Sequence, residues 1–181
     1  MDKKILFYCA AGFIFVGILG SLSHFCYEWS GGNRLAALVC PVNESIWEHM
    51  KLLFFPVLLY TLFFSYRCRE YKAVAASMLL GNIIGIFSMP VLFYTYSGIY
   101  GKHVTFVDIA IFFVSTAVVF YLAYDWIVKQ KRKEINGCNC VLYLRVENYE
   151  VLLIIASCII AVCFFVFSFY PPAWGIFVSP E

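Results

Sequence analysis

Five ionisable side chains stand at the end of the first apolar segment of this sequence and at the start of the second. His24 and Glu28 lie four residues apart in the first segment, and Glu44, Glu48 and His49 open the second. Neutral imidazoles and carboxylates are ligands of zinc and of related divalent ions. A carboxylate beside an imidazole is also a common pair for general acid–base catalysis. Both chemistries predict a polar cluster inside an otherwise apolar protein.

The spacing in the first segment places its small and polar residues on one stripe of a helix. Intervals of three or four residues, which share a helix face, separate Gly17, Gly20, Ser21, His24 and Glu28. Small residues allow a second helix to approach closely. His24 lies about 7 Å deeper than the interfacial Trp29 at 1.5 Å per residue. For Glu28, a position in interfacial water is as consistent with the sequence as a role in a site.

The second segment carries charge further along its predicted helix. Asn43 is the predicted N-cap, and Ser45 with Glu48 forms an alternative capping box. Lys51 lies about 12 Å along the helix from Asn43, a depth at which an ionisable group needs a partner or a wet cavity. Glu48, three residues away, can be that partner. His49 points about 100° away from Glu48, so the helix presents two polar faces.

These patterns predict one site with two alternative uses. The predicted catalytic residues are His24, Glu28, Glu48 and His49. The predicted ligands of a divalent metal such as zinc are His24, Glu28, Glu44 and His49. The residues expected to support either use are Asn43, Lys51, His103 and Asp108. A simpler interpretation stays open for three of these residues. Glu44 can be a charge near a helix N-terminus that the helix dipole stabilises. Lys51 can extend its ammonium group to the membrane interface, and His103 can lie in a solvated loop.

Five apolar segments, each near the ~20 residues that span a bilayer, must position these side chains. They run approximately over residues 5–29, 43–65, 74–96, 107–128 and 149–170. The chain of 181 residues is 63% hydrophobic and 13% charged, whereas a soluble domain is about 25% charged. The predicted fold is therefore all-α, an integral membrane bundle of five transmembrane helices in a single domain over residues 1–181.

Basic residues predict the orientation of the bundle. Only Arg34 and Lys102 flank one set of segment ends, and the opposite set carries ten basic residues: Lys3, Lys4, Arg67, Arg69, Lys72, Lys129, Lys131, Arg132, Lys133 and Arg145. Lys- and Arg-rich ends stay in the cytoplasm. The N-terminus is thus predicted to be cytoplasmic and the C-terminus outside, in a cell membrane. All three histidines, with Asp108, then fall near the outer ends of the spans.

Charge and cysteine content limit the other function classes. A net charge of +2 and the absence of a basic run interleaved with aromatics argue against a nucleic-acid partner. The expected partners are membrane lipids, with a homo-oligomer or a membrane partner protein left open. Among the eight cysteines, Cys138 and Cys140 form a lone C-x-C that does not support a zinc ribbon. Cys26 and Cys40 lie on the predicted oxidising side and could form a disulfide.

Two stretches carry a resemblance to known families. PVNESIWEHMKLLFFP at residues 41–56, with SHFCYEW at residues 23–29, resembles a family of small bacterial multi-pass membrane proteins of unknown function, and the resemblance extends over most of the chain. It implies a bacterial cell-membrane location and no established activity. A looser similarity to emopamil-binding-type sterol isomerases implies acid–base chemistry. There His24 and Glu28 match a His-x-x-x-Glu pair, and Glu44 or Glu48 matches a later acid.

Three functions are consistent with this sequence. The first is an enzyme that acts on a lipid-like or small apolar substrate at the His/Glu site, and it predicts a cavity where those residues converge. The second is a transporter or an ion- or proton-handling protein, which needs a polar path through Asn82, Ser88 or Asp125. The third is a structural or assembly subunit in which the polar cluster fixes helix register. The sparse polar residues in the inner halves of the spans favour the first.

Overall fold

The computed structural model describes residues 2–136 and 146–179, and this part of the chain is helical without any strand. Its five long helices are α1 (Lys3–Trp29), α3 (Ile46–Arg67), α4 (Val74–Tyr100), α5 (Thr105–Asn136) and α6 (Glu150–Phe169). A short α2 (Arg34–Val39) connects α1 to α3, and 3₁₀ turns occur at Val146–Tyr149 and Gly175–Phe177. The C-x-C pair Cys138 and Cys140 lies outside the described residues.

Each long helix is long enough and apolar enough to cross a membrane, which confirms the predicted five-helix membrane bundle. Large apolar side chains such as Phe7, Leu62 and Val151 are mostly exposed on its outside, at 68%, 72% and 71%. Such surfaces imply contact with lipid. The helices differ from the predicted segments chiefly at their ends. Helix α4 continues to Tyr100 and α5 to Asn136, because a helix can extend past the apolar region into interfacial water.

Four helices enclose the centre of the bundle. Helix α1 packs against α3 and α5, and α4 packs against the same two helices. Helix α6 lies outside this group, against α4, α3 and α2. The backbones approach closely at the predicted small residues of α1. A Cβ added to Gly20 would lie 2.6 Å from the carbonyl oxygen of Leu52 on α3, so only glycine allows this separation between α1 and α3.

The N-terminal end of the bundle is tied together by Asp2. Its carboxylate caps α1 by accepting from the backbone N–H groups of Lys4 (3.2 Å) and Ile5 (3.4 Å). It also accepts from Lys131 Nζ on α5 at 2.6 Å and from the Tyr71 hydroxyl at 3.0 Å. The Lys131 contact is the main reason that the pKa of Asp2 is lowered, and the Tyr71 hydroxyl adds to it against the opposing effect of burial. Three separate segments are thereby joined at one carboxylate.

Candidate metal centre

The first turn of α3 sets the geometry at the opposite end, here called the cavity end. Helix α3 begins after Ser45, whose hydroxyl accepts from the N–H of Glu48 at 3.3 Å. Asn43 is therefore not the N-cap. Its side chain instead accepts from the N–H of Ser45 at 2.9 Å and closes the preceding turn. This cap leaves Glu44 just before the helix and His49 one turn inside it, on the same side.

Three side chains converge at this point. His24 Nε2 and His49 Nε2 lie 3.2 Å apart, and Glu44 Oε2 lies 3.6 Å from the first and 3.4 Å from the second. A tetrahedral zinc ion with bonds of 2.0–2.1 Å places its ligand atoms about 3.3 Å apart. Octahedral coordination with the same bond lengths would require about 3.0 Å between adjacent ligands. The three atoms thus match one face of a tetrahedron, and this group could hold a metal ion.

The ring of His49 is oriented by the backbone of its own helix. Its Nδ1 lies 2.9 Å from the carbonyl oxygen of Ser45. A carbonyl oxygen can only accept, so Nδ1 carries the proton and the lone pair of the neutral ring is on Nε2. That lone pair points to His24 and Glu44. A histidine that donates one N–H to a carbonyl and offers the other nitrogen is the usual arrangement of a metal ligand.

A cavity of about 500 Å³ opens beside these three residues. On α3, α4 and α5 the lining residue nearest the middle of the bundle is apolar. Leu52 lies deeper than His49 on α3, and Phe112 lies deeper than Asp108 on α5. The volume is within the range of about 300–1,000 Å³ that small-molecule sites occupy. The cavity therefore has a polar mouth and an apolar floor.

A second polar group lines the same cavity from the α4–α5 side. Asp108 lies in the first turn of α5 and faces His103, with Oδ2 at 3.4 Å from His103 Nδ1. The hydroxyl of Tyr96 donates to the other carboxylate oxygen of Asp108 and accepts from the N–H of Val104 at 3.0 Å. His103 and Asp108 were expected as supporting residues. The role of Tyr96 was missed, since a tyrosine near the end of an apolar segment is typical of an interfacial belt.

Glu48 and Lys51 lie on another face of α3 and form a closed network. Lys51 is fully buried, and its Nζ donates to the carbonyl of Ala37 at 2.9 Å, to Glu48 Oε2 at 2.7 Å and to the hydroxyl of Ser168. Glu48 also accepts from the N–H of Val42 at 2.9 Å and from Ser168 at 3.0 Å. The network joins α2, α3 and α6. No sequence signal indicated Ser168, which lies more than a hundred positions away in an apolar segment.

The structure thus brings together three of the four predicted metal ligands. The fourth, Glu28, is exposed and makes no side-chain polar contact with any residue in the described ranges. Glu48 is 1% exposed and is not among the cavity-lining residues. The catalytic roles predicted for Glu28 and Glu48 stay predictions. The residues of the alternative polar path, Asn82, Ser88 and Asp125, do not line the cavity either.

The two cysteines near the site, for which the sequence left a disulfide open, are not bonded to each other in the structure. Cys26 and Cys40 are both free thiols. Burial raises the pKa of the Cys40 thiol to about 12, and a hydrogen bond with Cys26 adds to the shift. A thiol held in its protonated form reacts slowly, because the thiolate is the reactive species. The two cysteines therefore pack as small side chains between α1 and the end of α2.

Comparison with known proteins identifies a family without assigning an activity. No curated protein and no solved structure is significantly similar to the chain. A family model described as a family of unknown function, DUF6512, matches residues 2–180. This match covers nearly all of the sequence and all five long helices. The chain therefore belongs to DUF6512.

Proposed function

We propose that this protein is a membrane enzyme in which His24, Glu44 and His49 bind a zinc-like divalent ion and the adjacent cavity binds a small lipid-like substrate. The observation that carries the proposal is the orientation of His49. Its Nδ1–H donates to the Ser45 carbonyl at 2.9 Å, so Nε2 carries a lone pair that is directed toward two other possible ligand atoms. Those two atoms, His24 Nε2 at 3.2 Å and Glu44 Oε2 at 3.4 Å, can bind a metal ion together with it.

The ligand set supports zinc among the divalent metals. Two imidazoles and one carboxylate are the ligands of several catalytic zinc sites, which keep a fourth position for water or substrate. A metal at such a position supplies a Lewis acid that polarises a carbonyl or lowers the pKa of water. Glu44 is 67% exposed at the mouth of the site. Its carboxylate can therefore move by the small distance that ligation requires.

The lining of the cavity supports a substrate with an apolar part. Below the three polar residues the floor is formed by Leu52, Met89, Phe93 and Phe112. These side chains exclude water and favour burial of a hydrocarbon group at about 25 cal/mol per Å². The polar mouth then receives the reacting group. This division favours a lipid-like molecule over an ion or a sugar.

The proposed location follows from the charge pattern. Basic residues are concentrated at the N-terminal end of the bundle, so that end is proposed to face the cytoplasm. The cavity end then lies near the outer surface of a bacterial cell membrane. A substrate in the outer leaflet reaches the cavity at this depth without crossing the bilayer.

Metal analysis of the purified protein tests the proposal. The wild-type chain, purified in detergent, is expected to contain about one zinc per molecule, and His24→Ala or His49→Ala is expected to lose it, because two ligands hold the ion poorly. Two matched controls are available. Glu28→Gln removes an exposed carboxylate one helical turn from His24, and His103→Ala removes the third histidine, which also lines the cavity. Both controls should keep the metal.

The proposal fails on either of two results. One is a folded wild-type protein that takes up no zinc, cobalt or other divalent ion after dialysis against the metal. The other is zinc that persists in His24→Ala and His49→Ala at the wild-type ratio, since the metal would then lie elsewhere.

A further inference from the structure

We infer that His103, held by Asp108, accepts a proton from the group that binds at the metal centre, which extends the function proposed above. The inference starts from the shape of the bundle. Helices α1 and α3 carry His24 and His49, while α4 and α5 form the facing side of the four-helix group. His103 lies in the turn between α4 and α5 and lines the same cavity.

The size of the cavity allows one molecule to touch both sides. A compact volume of 500 Å³ is about 10 Å across. A ligand whose polar group binds near His24 and His49 therefore comes within reach of His103. The two polar groups act on a single bound molecule.

The contacts of His103 determine which nitrogen is basic. Its Nδ1 faces Asp108 Oδ2 at 3.4 Å. Asp108 accepts through its other oxygen from the Tyr96 hydroxyl, and Tyr96 is itself fixed by the N–H of Val104. An ionised carboxylate can only accept hydrogen bonds. The neutral ring of His103 then carries its proton on Nδ1 and its lone pair on Nε2, at the opposite edge of the ring.

Elimination among the lining residues leads to the same assignment. The ionisable side chains that line the cavity are His24, Glu44, His49, His103 and Asp108. The first three form the metal centre, and Asp108 is engaged by Tyr96 and His103. Among the described residues that line the cavity, His103 is the base that is neither a proposed metal ligand nor held by the Tyr96 hydroxyl. Glu48 is paired with Lys51 and does not line the cavity.

The proton transfer can be written with all atoms accounted for. A weakly acidic O–H of the bound molecule, or of a water beside it, breaks its bond to hydrogen and the oxygen keeps the electron pair. The proton forms a new N–H bond at His103 Nε2. The resulting imidazolium is stabilised by the Asp108 carboxylate, and it can return the proton later in the reaction.

Two probes with the same chain length separate this role from a structural one. Octanohydroxamic acid is neutral at pH 7 and must lose a proton to bind a metal as its anion. Octanoate is already ionised and needs no base. We expect His103→Gln to weaken hydroxamic acid binding relative to octanoate by roughly tenfold to a hundredfold, the effect of one charge-assisted hydrogen bond. Glutamine still donates to Asp108, but it cannot accept the proton.

Zinc content and a neighbouring variant complete the experiment. Both dissociation constants are measured by calorimetry on zinc-loaded protein in detergent, with zinc determined on the same samples. Lys102→Ala, an exposed residue beside His103, should leave the ratio of the two constants unchanged. Asp108→Asn should lower the same preference for the hydroxamic acid by a smaller factor, because the neutral amide stabilises the imidazolium less.

The outcomes separate the two proposals. A wild-type protein that binds no zinc overturns the proposed function. If zinc is retained but His103→Gln weakens both probes equally or neither, the role of His103 is wrong and the metal centre stands. Zinc-loaded wild type that binds neither probe also overturns the inference. Should His103→Gln fail to fold, an unchanged ratio in Asp108→Asn overturns it instead.

Discussion

The first turns of α3 carry two groups of charged residues that differ in whether the protein completes them. On one face, Lys51 is fully buried, and each of its three donor contacts is with a protein oxygen. On the other face, the side chains of His49 and Glu44 are 24% and 67% exposed and meet the imidazole of His24. The first group has all its partners within the protein, whereas the second places three possible metal-ligand atoms together where solvent reaches them.

This contrast explains why similar residues in one helix serve different purposes. A buried Lys–Glu pair is expensive to desolvate and is stable only when its other donors and acceptors are matched. Glu48 and Lys51 meet that requirement through α2 and α6. Partly exposed acceptors that converge within 3.6 Å, such as His24 and Glu44, repel one another's lone pairs unless a proton or a metal lies between them. Complete internal partners therefore indicate a structural role for Glu48 and Lys51, whereas the three converging ligand atoms could hold a metal ion.

Substitution of one residue in the Glu48–Lys51 network should give the largest loss of stability. Lys51→Ala leaves Glu48 as a buried charge without a cation, and loss of one partner of such a pair costs about 3–5 kcal/mol. We expect the free energy of unfolding in mixed micelles to fall by that amount. A double variant, Glu48→Leu with Lys51→Met, removes both charges together and should recover part of the stability, although the Val42 N–H loses its acceptor.

The same double variant sharpens the contrast between the two faces. It should retain about one zinc per chain, because the polar contacts of the Glu48 and Lys51 side chains do not include His24, Glu44 or His49. Zinc loss from a folded double variant would show that the two groups are one functional unit, and the contrast would then be incorrect.

Removal of the metal should give the next largest loss of stability, and this loss should depend only on the cluster of His24, Glu44 and His49. Ligand binding at 100 times the dissociation constant stabilises a protein by about 2.7 kcal/mol. Wild-type protein saturated with zinc should lose about that amount on chelation, measured by thermal unfolding. His49→Ala should show no response to the chelator, because its metal site is already broken. An equal response in both proteins would place the stabilising metal elsewhere.

The spacing between α1 and α3 should have a smaller effect on stability but a clear one on metal. A Cβ at position 20 would lie 2.6 Å from the backbone oxygen of Leu52, so Gly20→Ala must push the helices apart. Overpacking of this kind costs about 1–3 kcal/mol. The shift separates His24 from His49 and should weaken zinc binding, measured by competition with a chromogenic chelator.

Gly98 provides the matched control for this substitution. It lies within α4, and an added Cβ would meet nothing within 4 Å. Gly98→Ala should therefore leave zinc affinity unchanged and should not lower stability, because alanine favours a helix over glycine. If Gly20→Ala also keeps wild-type zinc affinity, the helix separation does not set the ligand geometry.

The sequence predicted the five spans and all three residues of the candidate metal centre, with Glu28 as a fourth ligand that the structure does not bring to the cluster. Apolar length alone specifies a membrane helix, and the depth of His24 and His49 follows from counting residues. The sequence could not choose between Glu28 and Glu44, because Glu28 lies four residues from His24 and Glu44 lies five residues from His49. It depends on the path of the chain through α2 and on the cap at Ser45. Tertiary packing, which periodicity does not contain, also determines the contact of Ser168 with Lys51.

The N-terminal end provides the smallest and most independent test of the contrast. Like Glu48, Asp2 has all its hydrogen-bond partners within the protein. Its partner Lys131 is 41% exposed, however, so solvent weakens the ion pair. The pKa of Asp2 is lowered, chiefly by Lys131. Its contribution is therefore present above the unfolded-state pKa of about 3.9 and is lost as the pH falls through the lower, folded-state value. Asp2→Asn should remove less than about 1 kcal/mol at neutral pH and should flatten the stability profile in that acidic range. Zinc content should stay at the wild-type ratio, because Asp2 lies at the opposite end of the bundle from His24, Glu44 and His49. A loss of zinc in this variant would contradict that separation.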